Sequence, residues 1–183
     1  LAQPGLDALP RDAQLRKYRM AAGCGARAVH HAGEHHAQST EEVIGHLARN
    51  SALNIDTAQR DAWAATILLL KQHLAGHKGH LLLEFNIPRM GARADAVLLL
   101  AGCVVVLEFK VGETSASTGA RNQVWEYALD TKNFHESSHL LPIVPVLIPT
   151  GYRSAELPQR HYAEDSVCQP LTISPDLLPR LLD

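Results

Sequence analysis

The alternation of apolar and polar residues becomes regular at Ser39 and predicts two consecutive helices. Ser39 or Thr40 can cap the first helix, because a hydroxyl at this position accepts a hydrogen bond from a backbone N–H of the first turn. This helix is predicted to end near Arg49. Thr57 can cap the second helix, whose apolar residues recur at helical spacing as far as Gly76.

Three apolar runs follow in close succession and predict three consecutive strands. They are Leu81–Ile87, Arg93–Leu100 and Val104–Lys110, each rich in aliphatic and β-branched residues. Because so few residues separate the runs, we expect antiparallel pairing, with a tight turn at Ala101–Gly102.

One further helix and one further strand complete the predicted core. Helical spacing returns over Gly119–His135, and a fourth apolar run, Ile143–Ile148, lies between two prolines. A crossover helix between two strands allows the second strand to join the same sheet. The order α-β-β-β-α-β therefore predicts an α/β fold with a mixed central sheet flanked by helices.

The chain divides into a core and two less regular ends. Residues 39–150 form the predicted core, and residues 151–183 read as a loop-rich C-terminal extension with a short helix at Leu177–Leu182. Residues 1–38 show no clear period, so they are predicted to be a poorly specified leader.

Four histidines near the end of this leader are one candidate for a metal-binding site. His30, His31, His35 and His36 form two pairs that could bind a metal ion. A solvated loop that happens to be rich in histidine explains the same cluster, and this is the interpretation that we favour.

Composition and charge exclude some classes of protein. The 183 residues carry a net charge of −2 with a pI near 6.6, which is not the footprint of a protein that binds duplex DNA by charge alone. A nucleic-acid site must therefore be a local basic patch or depend on a metal ion. No apolar run approaches the ~18 residues of a membrane span, so no membrane interaction is expected.

The cysteines indicate a reducing compartment. Cys24, Cys103 and Cys168 are odd in number and widely spaced, without a CxxC pair, so neither a zinc ribbon nor a disulfide framework is indicated. Cys103 lies in an apolar run and is interpreted as a small core residue. The pattern fits a cytoplasmic location.

The strongest chemical signal comes from charged residues in two otherwise apolar strands. Asp95 lies in the second predicted strand, and Glu108 and Lys110 share one face of the third. Carboxylates that meet across the hairpin offer the hard oxygen ligands preferred by Mg²⁺ or Mn²⁺, and Lys110 can hold a phosphate as a point charge. A structural ion pair between Lys110 and Glu108 or Asp95 accounts for the same residues.

Two polar residues of the following helix are candidates for the same site. Gln123 and Tyr127 are four residues apart and therefore share one helix face. If this helix packs on the sheet, Gln123 can orient Lys110 or a phosphate, and Tyr127 can donate a hydrogen bond to the same groups. They could equally line a core helix beside Val124 and Ala128.

Taken together, these motifs resemble the PD-(D/E)XK nuclease superfamily, in its branch with a Q-x-x-x-Y helix motif. The match comprises Asp95, the triplet Glu108–Lys110 (EFK) and Gln123–Tyr127 (QVWEY). More narrowly, residues 39–150 resemble the N-terminal region of the DUF2075 proteins, which are related to Schlafen helicases. The stretches that carry this second resemblance are Gln59–Trp63 (QRDAW), Glu84–Asp95 (EFNIPRMGARAD), Leu107–Gly112 (LEFKVG) and Tyr127–His139 (YALDTKNFHESSH).

The resemblance implies a role for each candidate residue. Asp95 and Glu108 correspond to the metal-binding acids and Lys110 to the catalytic lysine, while Gln123 and Tyr127 correspond to the helix motif. A fourth acid often contributes to such sites; Glu84 is the first candidate for it, as a further metal ligand, and Asp61 is the second.

The resemblance also implies an activity and partners. We expect a Mg²⁺- or Mn²⁺-dependent nuclease that hydrolyses phosphodiesters of DNA, or alternatively of RNA. A catalytically silent nuclease-like module that binds nucleic acid or supports a helicase is the alternative. A helicase or ATPase domain is expected in cis or in trans, and no G-x-x-x-x-G-K-[S/T] motif occurs in this chain, so the chain is either one piece of a longer protein or a stand-alone form.

Overall fold

The computed structural model describes residues 28–31, 38–51, 55–87, 91–134 and 138–183. Within these ranges the chain forms a six-stranded mixed sheet whose strands follow one another in chain order. The strands are β1 (Ala28–His31), β2 (His80–Asn86), β3 (Arg93–Leu99), β4 (Val104–Lys110), β5 (Ile143–Pro149) and β6 (Leu171–Thr172). The helices are α1 (Thr40–Arg49), α2 (Thr57–His73), α3 (Thr118–Phe134) and α4 (Leu178–Leu182), and a 3-10 helix, Pro175–Leu177, precedes α4.

Side-chain caps begin the first two helices. Ser39 accepts a hydrogen bond from the Glu42 N–H, and the Glu42 carboxylate accepts one from the Ser39 N–H, which is a complete capping box. The prediction of a Ser39 cap is therefore confirmed. Thr57 does not cap α2, because Asp56 precedes it and its carboxylate accepts the hydrogen bond from the Gln59 N–H instead.

The sheet confirms the predicted strand pairing. Strands β2, β3 and β4 pair antiparallel in succession, and β5 pairs parallel with β4 after the crossover through α3. The turn at Ala101–Gly102 is closed by a hydrogen bond from the Leu100 N–H to the Cys103 carbonyl oxygen, 3.0 Å long. Gly102 adopts a φ of +125° in this turn, a backbone conformation that residues with a side chain rarely adopt.

A separate apolar core covers each face of the sheet. The first core joins Val43 of α1, Ile67 of α2 and Leu178 of α4 to residues of the sheet. The second core joins Ala120 and Val124 of α3 to the opposite face. Two helical layers therefore cover a sheet whose central strands are buried on both sides, as their almost continuous apolar sequences predict.

The structure corrects the interpretation of the leader. Residues 28–31 form β1, which pairs antiparallel with β2 from Ala28–Leu83 to His31–His80, so His30 and His31 lie in a strand and not in a loop. A four-residue strand has too few alternating positions to show a period, and its partner is about fifty residues away in the chain. His35 and His36, which complete the proposed histidine cluster, lie outside the described residues, as does Cys24.

The remaining elements differ from expectation in smaller ways. Cys103 lies in the turn before β4 and not within the strand, and it is partly buried against the first core. The C-terminal region contains the short strand β6 as well as the predicted helix near Leu177–Leu182. None of the described helices combines the length and the apolar composition that are needed to cross a membrane.

Candidate active site at the open end of β3 and β4

Asp95 and Glu108 meet where two central strands separate. The antiparallel ladder between β3 and β4 ends with the pair Ala96–Leu107, and Asp95 and Glu108 are the next residues on the two strands. Beyond that point the Asp95 carboxylate replaces a backbone acceptor, because its Oδ2 atom accepts a hydrogen bond of 2.8 Å from the Phe109 N–H. The separation of the strands thus places two carboxylates side by side at one end of the sheet.

The Glu108 carboxylate is buried and only half satisfied. The residue is 5% exposed, and its Oε1 atom accepts a hydrogen bond from the Lys110 ammonium at 3.0 Å. Its Oε2 atom is also buried and makes no hydrogen bond with any described residue. A buried carboxylate oxygen without a partner is unfavourable by itself, which marks the place where a cation or a donor would be stabilised.

Lys110 links the carboxylates to helix α3. Its ammonium group donates to Glu108 Oε1 and to Gln123 Oε1, both at 3.0 Å. The amide nitrogen of Gln123 then donates to the Tyr127 hydroxyl at 2.7 Å, across one turn of α3. The structure thus brings together all five residues that the sequence assigned to catalysis: Asp95, Glu108, Lys110, Gln123 and Tyr127.

Burial and the charges of neighbouring carboxylates raise the pKa values of the two carboxyl groups, which favours their protonated forms. Burial raises the pKa of Asp95 to about 7, with the charge of Glu108 adding to the effect and the hydrogen bond from Phe109 opposing it. Burial likewise raises the pKa of Glu108, although the charge of Lys110 opposes this shift. With Lys110 as the neighbouring cation and no further one, the two groups cannot both be ionised at low cost near neutral pH.

The charge of Lys110 is maintained by its partners. Burial would lower the pKa of its ammonium group, but attraction to Glu108 and the hydrogen bond between them outweigh this, so the pKa lies above its ordinary value. Lys110 is therefore a permanent positive charge at neutral pH. Such a group can bind an anion but cannot act as a general base there.

Glu84, the first candidate for a further metal ligand, is held by other side chains. Its Oε1 atom accepts a hydrogen bond of 2.8 Å from the Trp63 indole N–H, and its Oε2 atom forms an ion pair with Arg93 Nε at 2.5 Å. The group is close enough for its charge to raise the pKa of Asp95. Both oxygens are nevertheless engaged, so Glu84 neighbours the carboxylate pair without offering it a free ligand atom.

The regular alternation of side chains between the two faces of strand β2 is interrupted at Glu84. Its φ of +52° is unusual for a residue with a side chain. Leu83 belongs to the first core and Phe85 to the second, although residues two apart on a regular strand share a face. Opposite them on β3, Ala96 and Ala94 are divided between the cores in the same way. The irregularity therefore spans both strands at the level of Asp95.

Asp61, the second candidate for a fourth acid, is exposed on α2. It is not among the residues that line the cavity beside Asp95. No group of three or more histidine, cysteine, aspartate or glutamate side chains within the described ranges is arranged to hold a metal ion. Asp95 and Glu108 are thus a pair of neighbouring acids and not part of a cluster of three or more.

A cavity of about 250 Å³ opens beside this pair, on the side of the sheet covered by α1 and α2. Asp95 and Lys110 contribute to its wall, whereas Glu108 does not, so the cavity reaches the site through these two residues. The apolar part of the wall comes from α1, α2, β2 and β4, with Trp63 and Phe109 as its aromatic residues. A ligand in this cavity would lie next to Asp95 and Lys110.

Two residues of the site were not assigned to it from the sequence. Trp63 occurs at helical spacing among the apolar residues of α2, and Arg93 begins the strand that contains Asp95, so neither position marks a polar site. One signal in the sequence could have led to them. Glu84 lies in an apolar run, and a buried acid needs hydrogen-bond donors or a cation as partners. Which donors supply the pairing depends on how α2 packs, which the sequence does not show.

The alternative interpretation of Lys110 has support in the same geometry. The ion pair between Lys110 and Glu108 that was predicted as a purely structural contact is present, at 3.0 Å. It leaves Glu108 Oε2 and the neighbouring Asp95 unexplained, however, since one ammonium group does not neutralise two buried carboxylates.

Comparison with known proteins adds no assignment to this geometry. No family model matches the chain, and no curated protein and no solved structure is significantly similar to it.

Proposed function

We propose that this protein is a metal-dependent nuclease that hydrolyses phosphodiester bonds of nucleic acid, with a PD-(D/E)XK-like core. One observation carries the proposal: the carboxylates of Asp95 and Glu108 come from neighbouring positions at the open end of β3 and β4, and the buried Glu108 Oε2 atom has no partner among the described residues. An ion pair built for stability would satisfy that atom. A site that receives a cation leaves it free.

The residues present fit a hard divalent cation such as Mg²⁺ or Mn²⁺. Asp95 and Glu108 would hold it, because carboxylate oxygens are its preferred protein ligands and its positive charge would offset the repulsion between them. Mg²⁺ usually keeps several water ligands and binds through one or two carboxylates together with substrate phosphate. Two acids are therefore sufficient, and Glu84 is not required as a ligand. When bound, such an ion supplies an acidified water molecule and stabilises charge on the phosphate.

The chain's own residues then have distinct tasks. Lys110 is the fixed positive charge, placed to hold a non-bridging phosphate oxygen as negative charge builds up on it. Gln123 and Tyr127 hold Lys110 in position from α3. In the reaction a water oxygen forms a bond to phosphorus, the bond from phosphorus to the leaving oxygen breaks, and a proton from the water ends on that oxygen.

The alternative is a catalytically silent module that binds nucleic acid or supports a helicase. The net charge of −2 favours it, since no electrostatic attraction holds a nucleic acid over the surface as a whole. The resemblance to the DUF2075 proteins implies an ATP-driven motor in cis or in trans under either function. Inspection of the full gene and its neighbours for a P-loop motif tests that context, and a gene that lacks one in both places would contradict it.

Substitutions at Asp95 and Lys110 distinguish these functions, because the first should affect both metal binding and cleavage and the second should affect cleavage alone. We expect Asp95→Ala to abolish both cleavage and the rise in melting temperature caused by Mn²⁺. Lys110→Met retains the apolar stem but removes the charge, so it should lose ~100-fold or more in cleavage rate while the Mn²⁺ effect remains. The measurements are thermal melting with and without Mn²⁺, and cleavage of labelled single-stranded, duplex and branched DNA and of RNA.

The exposed acid Asp61 provides the control, as Asp61→Asn should change neither result. A wild-type protein that responds to Mn²⁺ but cleaves no substrate would support the silent module. A wild-type protein that is insensitive to Mn²⁺, together with strongly destabilised variants, would show that the residues form only a structural ion pair.

A further inference from the structure

The cavity beside Asp95 is too small for a duplex and of a suitable size for a single planar ring system. Its volume of about 250 Å³ lies just below the range of about 300–1,000 Å³ typical of pockets that enclose drug-sized molecules. A DNA duplex, whose major groove alone is about 12 Å wide, cannot enter such a space. Only a small group that projects from a polymer could occupy it.

The charges around the cavity indicate which part of a nucleic acid could enter. Of the described residues that line it, Glu84, Asp95 and Glu113 carry carboxylates and Lys110 carries the ammonium group. Arg93 offsets the charge of Glu84, which still leaves more negative than positive charge on the wall. Beyond the one phosphate that Lys110 and a cation on Asp95 would hold, the wall offers no unpaired positive charge for a run of phosphates, whereas an uncharged group needs none.

The rest of the wall is suited to a nucleobase. Trp63 and Phe109 provide aromatic surface, and Ala62 contributes only a small side chain to the wall. The half-exposed Gln59 has an amide that can both donate and accept hydrogen bonds. Apolar walls with a few polar groups are typical of sites for planar ligands, and aromatic side chains contact bases of any sequence. Asp95 and Lys110 belong to the same wall, so a base in the cavity would be close to the residues that the proposed function assigns to the cation and the phosphate.

We infer that this cavity binds the base of one unpaired nucleotide, so that the substrate of the site is a single strand or an unpaired nucleotide in a duplex. The inference rests on the proposed function for the cleavage step, but the binding of the base can be measured without it. A paired base would first have to leave the helix, at the cost of its stacking and pairing. A continuous duplex is therefore the disfavoured substrate.

Filling the cavity tests this inference. Ala62→Phe places an aromatic ring in the cavity without changing Asp95, Glu108 or Lys110. Gln59→Trp places a ring there from the adjacent turn of α2. Leu68→Phe is the matched control, because Leu68 is 56% exposed on the same helix and does not line the cavity. Circular dichroism and thermal melting establish that each variant is folded. If one of the two filling variants does not fold, the other is used for the test.

Two measurements follow on the full chain in Mn²⁺. Cleavage is compared on a labelled single strand, a blunt duplex of the same sequence, and that duplex with one bulged nucleotide. We expect the single strand and the bulge to be cut at least about tenfold faster than the blunt duplex, and a filling variant to lose this cleavage. Calorimetric titration with thymidine 5′-monophosphate should show binding to the wild type and to Leu68→Phe, but not to a filling variant.

The outcomes separate the cavity from the catalytic proposal. Binding of the nucleotide that a filling variant abolishes, without cleavage of any substrate, would retain the base site and refute the hydrolysis. Cleavage of the interior of the blunt duplex as fast as of the single strand would overturn the inference while leaving the nuclease. Unchanged nucleotide binding or cleavage in a folded filling variant would also overturn it, as would a wild type that binds no nucleotide.

Discussion

At the scale of single residues, Glu84 lies beside the proposed site but has a different role from the one that the sequence suggested. Its carboxylate is 3% exposed and engaged by Trp63 and Arg93, so it is a buried acid with its own donors. Its left-handed backbone also turns β2 over beside Asp95. We therefore expect Glu84 to support the position of Asp95 and not to bind the metal ion itself.

Removal of Arg93 should harm the protein more than neutralisation of Glu84. Arg93→Met leaves a buried carboxylate without its cation, for which losses of about 3–5 kcal/mol in the free energy of unfolding are typical. Glu84→Gln keeps an oxygen for the Trp63 indole, and Arg93, whose side chain is 30% exposed, can turn to water. Urea unfolding of both single variants and of the double variant measures the difference.

The double variant is the internal control for this comparison. Because Glu84→Gln removes the charge that Arg93→Met leaves unpaired, the double variant should be more stable than Arg93→Met alone. Purely additive losses would show that Arg93 contributes packing and not charge. Equal losses in the two single variants would contradict the argument from exposure.

At the scale of elements, the loop that follows β4 is held against the end of β5. The Gly112 N–H donates to the Thr150 hydroxyl, and the Gly151 N–H donates to the Glu113 carbonyl oxygen, both at 2.8 Å. A Cβ atom on Gly151 would lie 2.9 Å from a Thr114 side-chain carbon and 3.0 Å from the Glu113 carbonyl oxygen. The backbone at Gly151 therefore sets how closely this loop, which begins beside Lys110, can pack.

Two glycine substitutions should have opposite effects for this reason. Gly151→Ala forces the loop away from β5 and should lower the free energy of unfolding by about 1–3 kcal/mol. Gly119→Ala, in the first turn of α3, meets no atom closer than 4.0 Å and should raise it by up to about 1 kcal/mol, because alanine favours the helix. Chemical denaturation tests both, and a neutral Gly151→Ala would show that the loop moves freely.

At the scale of the whole molecule, two elevated carboxyl pKa values link stability to pH. With Asp95 near 7 in the folded chain and about 3.9 when unfolded, the folded protein binds more protons between these values. Stability contributed by this group is therefore present at low pH and is lost as the pH rises toward 7. Glu108 shifts in the same direction and adds to the effect.

We expect the metal-free protein to become less stable between about pH 4 and 7 through these groups. Asp95→Asn should reduce this dependence, since an amide has no proton to lose. Mn²⁺ should offset the loss, with a larger increase in melting temperature at pH 8 than at pH 5.5, because the cation competes with protons. Melting curves in EDTA and in Mn²⁺ across this range provide the test, and a Mn²⁺ effect that is independent of pH would contradict it.

The sequence alone determined the elements whose signal is local. Apolar runs and helical spacing predicted the antiparallel strands β2 to β4, the helix α3 and the added strand β5, and the Ser39 capping box was visible as Ser39 with Glu42 three residues later. The grouping of Asp95, Glu108 and Lys110 was also predictable. It needs only the alternation of faces along two strands that follow each other directly.

Tertiary structure alone decided the features that depend on distant contacts. Strand β1 exists because β2 offers it a partner, and Glu84 is engaged because α2 brings Trp63 to it across 21 positions of the chain. The left-handed backbone at Glu84 and the cavity beside Asp95 likewise lie where residues of α2 meet the sheet. Local propensity cannot reveal them, because the free energy that holds them comes from burial and pairing between segments far apart in sequence.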